Sequence, residues 1–114
     1  MSTTDTGRAA EGKAADYLVR EGYALLDRNW RNRFCEIDIV ARRGGTVHFI
    51  EVKYRASNAV GDPVAYIGPL KLQRLRRAAS AWCQTHRWEG SYQIDFIGIT
   101  GQYGFEHLPD VTGF

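Results

Sequence analysis

Three ionisable residues stand where strands ordinarily bury apolar side chains: Asp38 in CEIDIVA, and Glu51 and Lys53 in HFIEVKYR, on either side of a Gly44-Gly45 pair. Two carboxylates brought together suit a hard divalent cation, which takes one or two of them and completes its shell with water and phosphate oxygens. A lysine beside them is a compact point charge that orients a water or neutralises charge as it develops. The reaction such a group serves is metal-assisted hydrolysis of a phosphodiester.

The hairpin decides whether these residues meet. Gly44-Gly45 as a two-residue turn, with both glycines at positive φ, sets Arg43 against Thr46. Counting along the ladder then places Asp38 opposite Glu51 and Glu36 opposite Lys53, although a bulge or longer turn would shift this register. Because side chains alternate, Glu36, Asp38, Val40, Phe49, Glu51 and Lys53 share one face, and Ile37, Ile39, Ala41, Ile50 and Val52 form an apolar core face. Directly opposed residues have Cβ atoms roughly 5 Å apart, and like charges so placed are destabilising. A positive group belongs between Asp38 and Glu51. Arg42 or Arg55 in a structural ion pair, Lys53 alone, or a divalent cation would each answer, and the spacing leaves all three open.

The elements that position this face follow from periodicity. Ala10, Ala14, Tyr17 and Leu18 form one stripe of a helix from Arg8 to Glu21, ended by Gly22. YALLDRNW reads as a short strand, and the two strands of the hairpin follow. RASNAVGDP, 55–63, carries turn residues and is expected to be a mobile loop. Between Pro69 and His86 the apolar positions Leu72, Leu75, Ala79, Trp82 and Cys83 recur as on an amphipathic helix, with Lys71, Arg74, Arg76 and Arg77 on its other faces. A last strand, Tyr92 to Thr100, precedes a short extended piece, Phe105 to Leu108. This order predicts an α/β domain: a mixed central sheet flanked by helices, with a crossover and at least one parallel pair.

Size and charge narrow the class. The 114 residues suffice for one core, so one domain is expected, with residues 1–6 flexible. Hydrophobic content of 44% with 25% charged residues excludes a largely disordered chain. No apolar run reaches the ~18 residues of a membrane span, and the N-terminal stretch lacks the apolar core of a secretory signal, so a cytosolic protein is expected. Cys35 and Cys83 show no clustering and read as reduced thiols. The net charge is only +2, but basic residues crowd the middle of the chain, which points to a polyanion such as nucleic acid.

The motif has a family resemblance. An aspartate in one strand followed by Glu51-Val52-Lys53 in the next resembles the PD-(D/E)xK nuclease motif, with Glu11 on the preceding helix where several members carry another acidic residue. More narrowly, GRAAEGKAADYL, EGYALLDRNWR, CEIDIVA, HFIEVKYR, the Lys71 of KLQRLRRAA, and QIDFIGI resemble the YraN family of small bacterial proteins, distantly related to archaeal Holliday junction resolvases. The resemblance implies a restriction-endonuclease-like core, magnesium or manganese at Asp38 and Glu51, Lys53 as the catalytic lysine, and Glu11 at the edge of the site. It implies action on DNA and, by analogy with the resolvases, a homodimer. Cys35 stands where the family pattern has glycine, and Gln93-Ile94 where it has Arg-Phe.

Several further residues have assigned expectations. Arg31, Arg33, Arg55, Lys71 and Arg74 are candidate contacts to nucleic-acid phosphates. Trp30 among Arg28, Arg31 and Arg33 reads either as a base-stacking ring or as a residue at the edge of the core. Asp95 interrupts the last strand and is expected to hold Lys71 or a backbone group. His48 reads as a satisfied core histidine, whereas His86 and His107 show no partner motif.

Overall fold

The computed structural model describes residues 3–55, 68–101 and 104–111. Residues 56–63 of the expected mobile loop lie outside that range. Helix α1, Thr3–Arg20, is followed by strands β1 Ala24–Arg31, β2 Glu36–Arg43 and β3 Thr46–Arg55, helix α2 Pro69–His86, and strands β4 Ser91–Thr100 and β5 Gly104–Leu108. The five strands form a single sheet in the order β1-β2-β3-β4-β5, antiparallel throughout except for the parallel β3–β4 pair. The predicted mixed sheet with a helical crossover is what the chain forms. The first helix begins at Thr3, one turn and more before the expected Arg8.

Both faces of the sheet are covered. On one face Ala10, Ala14, Ala15 and Leu18 of α1 pack on Ile39, Ala41, Ile50, Ile97 and Ile99. Three alanines in that stripe let the helix approach the sheet closely. On the other face Leu72, Leu75, Ala78, Ala79 and Trp82 of α2 pack on Val40, Val47, Phe49, Ile94 and Phe96. Each α2 position recurs at three or four residues, as one stripe of a helix must. Pro69 opens α2 at a position where its missing N–H is not needed.

Two expectations about the hairpin are corrected. Gly44 has φ 61°, but Gly45 does not lie in the positive region, so the turn has the φ signs of a type II′ rather than a type I′ turn. Both are two-residue turns, and Arg43 still pairs with Thr46. Ile37 packs in the α2-side cluster and not with Ile39 and Ile50. Beyond the Ile39–Ile50 pair β2 is no longer laddered to β3, and pairs only with β1, so the alternation set by the hairpin does not extend to Ile37. Val40 and Phe49, expected on the polar face, are fully buried under α2.

Candidate active site

The site forms where two strands part. β2 and β3 pair from Arg43–Thr46 as far as Ile39–Ile50, and Asp38 and Glu51 stand one step beyond. There the Val52 N–H donates to Asp38 Oδ2 at 2.8 Å, so a side-chain carboxyl takes the backbone donor that the departing strand leaves. The predicted opposition of Asp38 and Glu51 therefore survives as a meeting of side chains at the end of the ladder. The predicted opposition of Glu36 and Lys53 does not. Glu36 pairs with Arg31 of β1, and Lys53 lies beside Gly98 of β4 with its side chain exposed.

Burial and crowding of charge tune the pair. Burial pushes the Asp38 carboxyl up, the neighbouring Glu51 charge adds to this, and the Val52 N–H works against it; the balance lies at about 7. Glu11 of α1 also raises it through its charge, and the Asp38–Glu51 hydrogen bond acts in the same direction. Glu11 thus contributes to the field at this point.

The cation that answers the pair is Lys71. Its Nζ lies 2.6 Å from Glu51 Oε1, and the Glu51 side chain is only 12% exposed. Burial works against the lysine's charge, but the hydrogen bond and charge of Glu51 outweigh it and raise the Lys71 pKa. Neither expected arginine fills this role. Arg42 Nε donates to the Gly44 carbonyl at 2.9 Å near the turn, and Arg55 lies at the far end of β3 opposite Thr100. The first turn of α2 carries Lys71 to Glu51 in the middle of β3, a juxtaposition that strand spacing does not reveal.

Beside the pair opens a cleft of about 420 Å³, lined by Arg31, Asn32, Phe34, Cys35, Glu36, Glu51, Lys71, Arg74 and Leu75. Three of the five candidate phosphate contacts, Arg31, Lys71 and Arg74, converge here. Arg33 is exposed at the rim beside Phe34, its guanidinium 5.6 Å from the ring centroid. Arg55 is not among the lining residues. Trp30 is half-buried and packs against the α2-side core, the place that the edge-residue reading gives it. Phe34 was missed: an isolated apolar ring in a polar loop, outside any strand or helix period, is its only signal.

Asp95 is wholly buried and holds neighbours other than Lys71. Its Oδ2 accepts from His48 Nδ1 at 2.8 Å and from His107 Nε2 at 2.9 Å, and its Oδ1 from Gln93 Nε2 at 2.8 Å and the Asp110 N–H at 3.0 Å. Burial pushes this carboxyl up, but the His107, His48, Asp110 and Gln93 hydrogen bonds prevail and hold it well below the usual carboxylate range. The expected backbone partner is present and the expected lysine is not, because Lys71 sits over β3. His48 is the satisfied core histidine anticipated. His107 was missed, since only the β4–β5 pairing brings it to Asp95. Gln93, at one departure from the family pattern, supplies one of these donors. At the other, the Cys35 N–H donates to Asn32 Oδ1 at 2.8 Å.

The donor set fits magnesium or manganese. Asp38 and Glu51 supply hard oxygens, and the raised pKa of Asp38 marks a place where added positive charge is favourable. Among the described residues no group of three His, Cys, Asp or Glu side chains is placed to hold a metal ion.

The comparisons agree with this architecture. The chain is 41% identical over 113 residues to a UPF0102 protein of Leifsonia xyli, covering 95% of this chain and 96% of that one. It is 37% identical over 112 residues to a UPF0102 protein of Cytophaga hutchinsonii, covering 98% and 99%. Among solved structures, Hjc of Archaeoglobus fulgidus, a Holliday junction resolvase, matches with a TM-score of 0.63 at 21% identity, over 91% of this chain and 72% of that one. At that identity the likeness shows a shared fold, the restriction-endonuclease-like core implied by the YraN resemblance. No helix among the described residues is long and apolar enough to cross a membrane. Residues 10–99 match the model of the family described as Uncharacterised protein family UPF0102, and the chain belongs to that family.

Proposed function

We propose that the protein is a metal-dependent nuclease that hydrolyses phosphodiester bonds in DNA, with Asp38 and Glu51 holding Mg²⁺ or Mn²⁺. The observation that carries this reading is the meeting of these carboxyls where β2 leaves β3, with Glu11 and Lys71 acting on them and a basic cleft alongside. The resolvase fold of the Archaeoglobus protein supports it. When bound, such an ion supplies a polarised phosphoryl group and a water of lowered pKa.

The chain's own residues do the rest. Arg31 and Arg74 hold the nucleic-acid backbone at the cleft, and Lys71, which lines it with them, is placed to meet a phosphate oxygen. Lys53 extends from the same strand two residues beyond Glu51, where it positions the attacking water or neutralises the developing charge. Val52 N–H fixes the orientation of Asp38 throughout. A homodimer, which the family resemblance implies, would place two such sites on one branched substrate.

A second reading has one observation in its favour. The Lys71–Glu51 ion pair balances Glu51 without any metal, as a module that binds nucleic acid without turnover would require. Linear, flapped and four-way-junction DNA incubated with wild type and Glu51→Ala in Mg²⁺ and in Mn²⁺ separates the two. Cleavage that vanishes in the variant supports the nuclease; binding without cleavage in any lane supports the module.

A further inference from the structure

The β1–β2 connection displays an aromatic ring beside the carboxyl pair. Asn32 Oδ1 accepts the N–H groups of Phe34 at 2.9 Å and Cys35 at 2.8 Å, and the Asn32 N–H donates to the Cys35 carbonyl at 2.9 Å. Cys35 packs back against the α2-side core. The turn is thereby fixed, and it holds Phe34 outward with 84% of its surface exposed. A single exposed apolar residue is ordinary. This one is distinguished by its company: it lines the same cleft as Arg31, Lys71, Arg74 and Glu51.

A flat apolar ring and three cations, which outnumber the carboxylates Glu36 and Glu51, around about 420 Å³ match one ligand chemistry well. The base of a nucleotide stacks on an aromatic face, and its flanking phosphates meet arginine and lysine. A base inside an unbroken duplex has both faces covered by its neighbours and must leave the stack before it meets such a ring. Resting on the nuclease reading above, we infer that the cleft holds one unpaired nucleotide next to the scissile phosphate, its base stacked on Phe34 and its phosphate held by Arg31 and Arg74. The preferred substrate class is then nucleic acid with an unpaired or displaced nucleotide, as at a flap, gap or open branch, in preference to continuous duplex.

The test measures binding apart from cleavage. DNA carrying a single unpaired 2-aminopurine, and the same sequence fully paired, are titrated in chelator with wild type, Phe34→Ala and Phe34→Trp. Wild type is expected to quench the unpaired probe and to bind that DNA roughly tenfold more tightly than the duplex. Phe34→Ala should lose the quench and the preference while keeping its duplex affinity, and Phe34→Trp should restore both. An unchanged preference in Phe34→Ala overturns the inference, as does equal weakening on both DNAs. So does a self-association that Phe34→Ala abolishes with no change in preference, which would make the ring a contact between copies. Cleavage of the DNA panel by wild type and Glu51→Ala is read separately. A Phe34-dependent preference without cleavage keeps the inference and sinks the nuclease, Glu51-dependent cleavage without the preference does the reverse, and no DNA binding by wild type sinks both.

Discussion

Lys71 Nζ stands 2.6 Å from Glu51 Oε1, so the first turn of α2 holds one member of the carboxyl pair while the other, Asp38, is held by the Val52 N–H of β3. The two carboxyls are anchored by different elements, one by a side-chain cation on a helix and the other by a backbone donor on a strand. Glu51 raises the Lys71 pKa through its hydrogen bond and charge, whereas burial raises that of Asp38 against the pull of the Val52 N–H.

Asp38 should make the protein less stable as pH rises. Its folded-state pKa of about 7 lies above the value of 3.8 for an unperturbed aspartate, so its contribution is fully present below the unfolded value and lost as pH climbs through the folded one. Asp38→Asn keeps an acceptor for the Val52 N–H and removes the charge. In chelator it is expected to melt several degrees higher than wild type at pH 8 and to differ little at pH 4, as read by thermal denaturation.

Divalent cations should reverse that order. Mn²⁺ at pH 8 is expected to raise the melting temperature of wild type and to leave Asp38→Asn nearly unchanged, because binding to the folded state alone stabilises by mass action. Equal shifts in both proteins would remove Asp38 from the ligand set.

Removing Lys71 leaves Glu51 largely buried without its cation. Lys71→Met is expected to cost about 1 kcal/mol in chelator, a modest figure because the lysine itself is 44% exposed, with part of the loss recovered in Mn²⁺. Urea denaturation with and without the ion measures both quantities.

Asp95 should set the acid limit. Its depressed pKa means that its contribution is present above the unfolded value and disappears as pH falls below about 4 toward the lower folded value. Asp95→Leu strands four buried or half-buried donors and is expected to destabilise by about 3 kcal/mol near neutral pH, with the deficit shrinking in acid, as measured by urea denaturation across pH.

Phosphate contacts are read from salt. Arg31→Ala and Arg74→Ala are each expected to reduce the slope of log affinity against log salt by about one, with little change in which DNA is preferred. Fluorescence anisotropy over a salt series gives the slope.

The hairpin was legible in the sequence because a two-residue glycine turn fixes parity: once Arg43 faces Thr46, every pair to Ile39–Ile50 follows, and Asp38 must approach Glu51. The helices were legible through their apolar period, and the parallel β3–β4 pair through the helix between them. Three other relationships depend on tertiary placement. Lys71 reaches Glu51 because α2 packs on the face of the sheet that carries Val47 and Phe49 of β3; His48 and His107 share Asp95 because β3 and β5 flank β4; Ile37 changes side because β2 leaves the ladder. Strand parity acts between residues joined by a short turn, whereas these contacts depend on how whole elements dock, which the packing of the two cores decides.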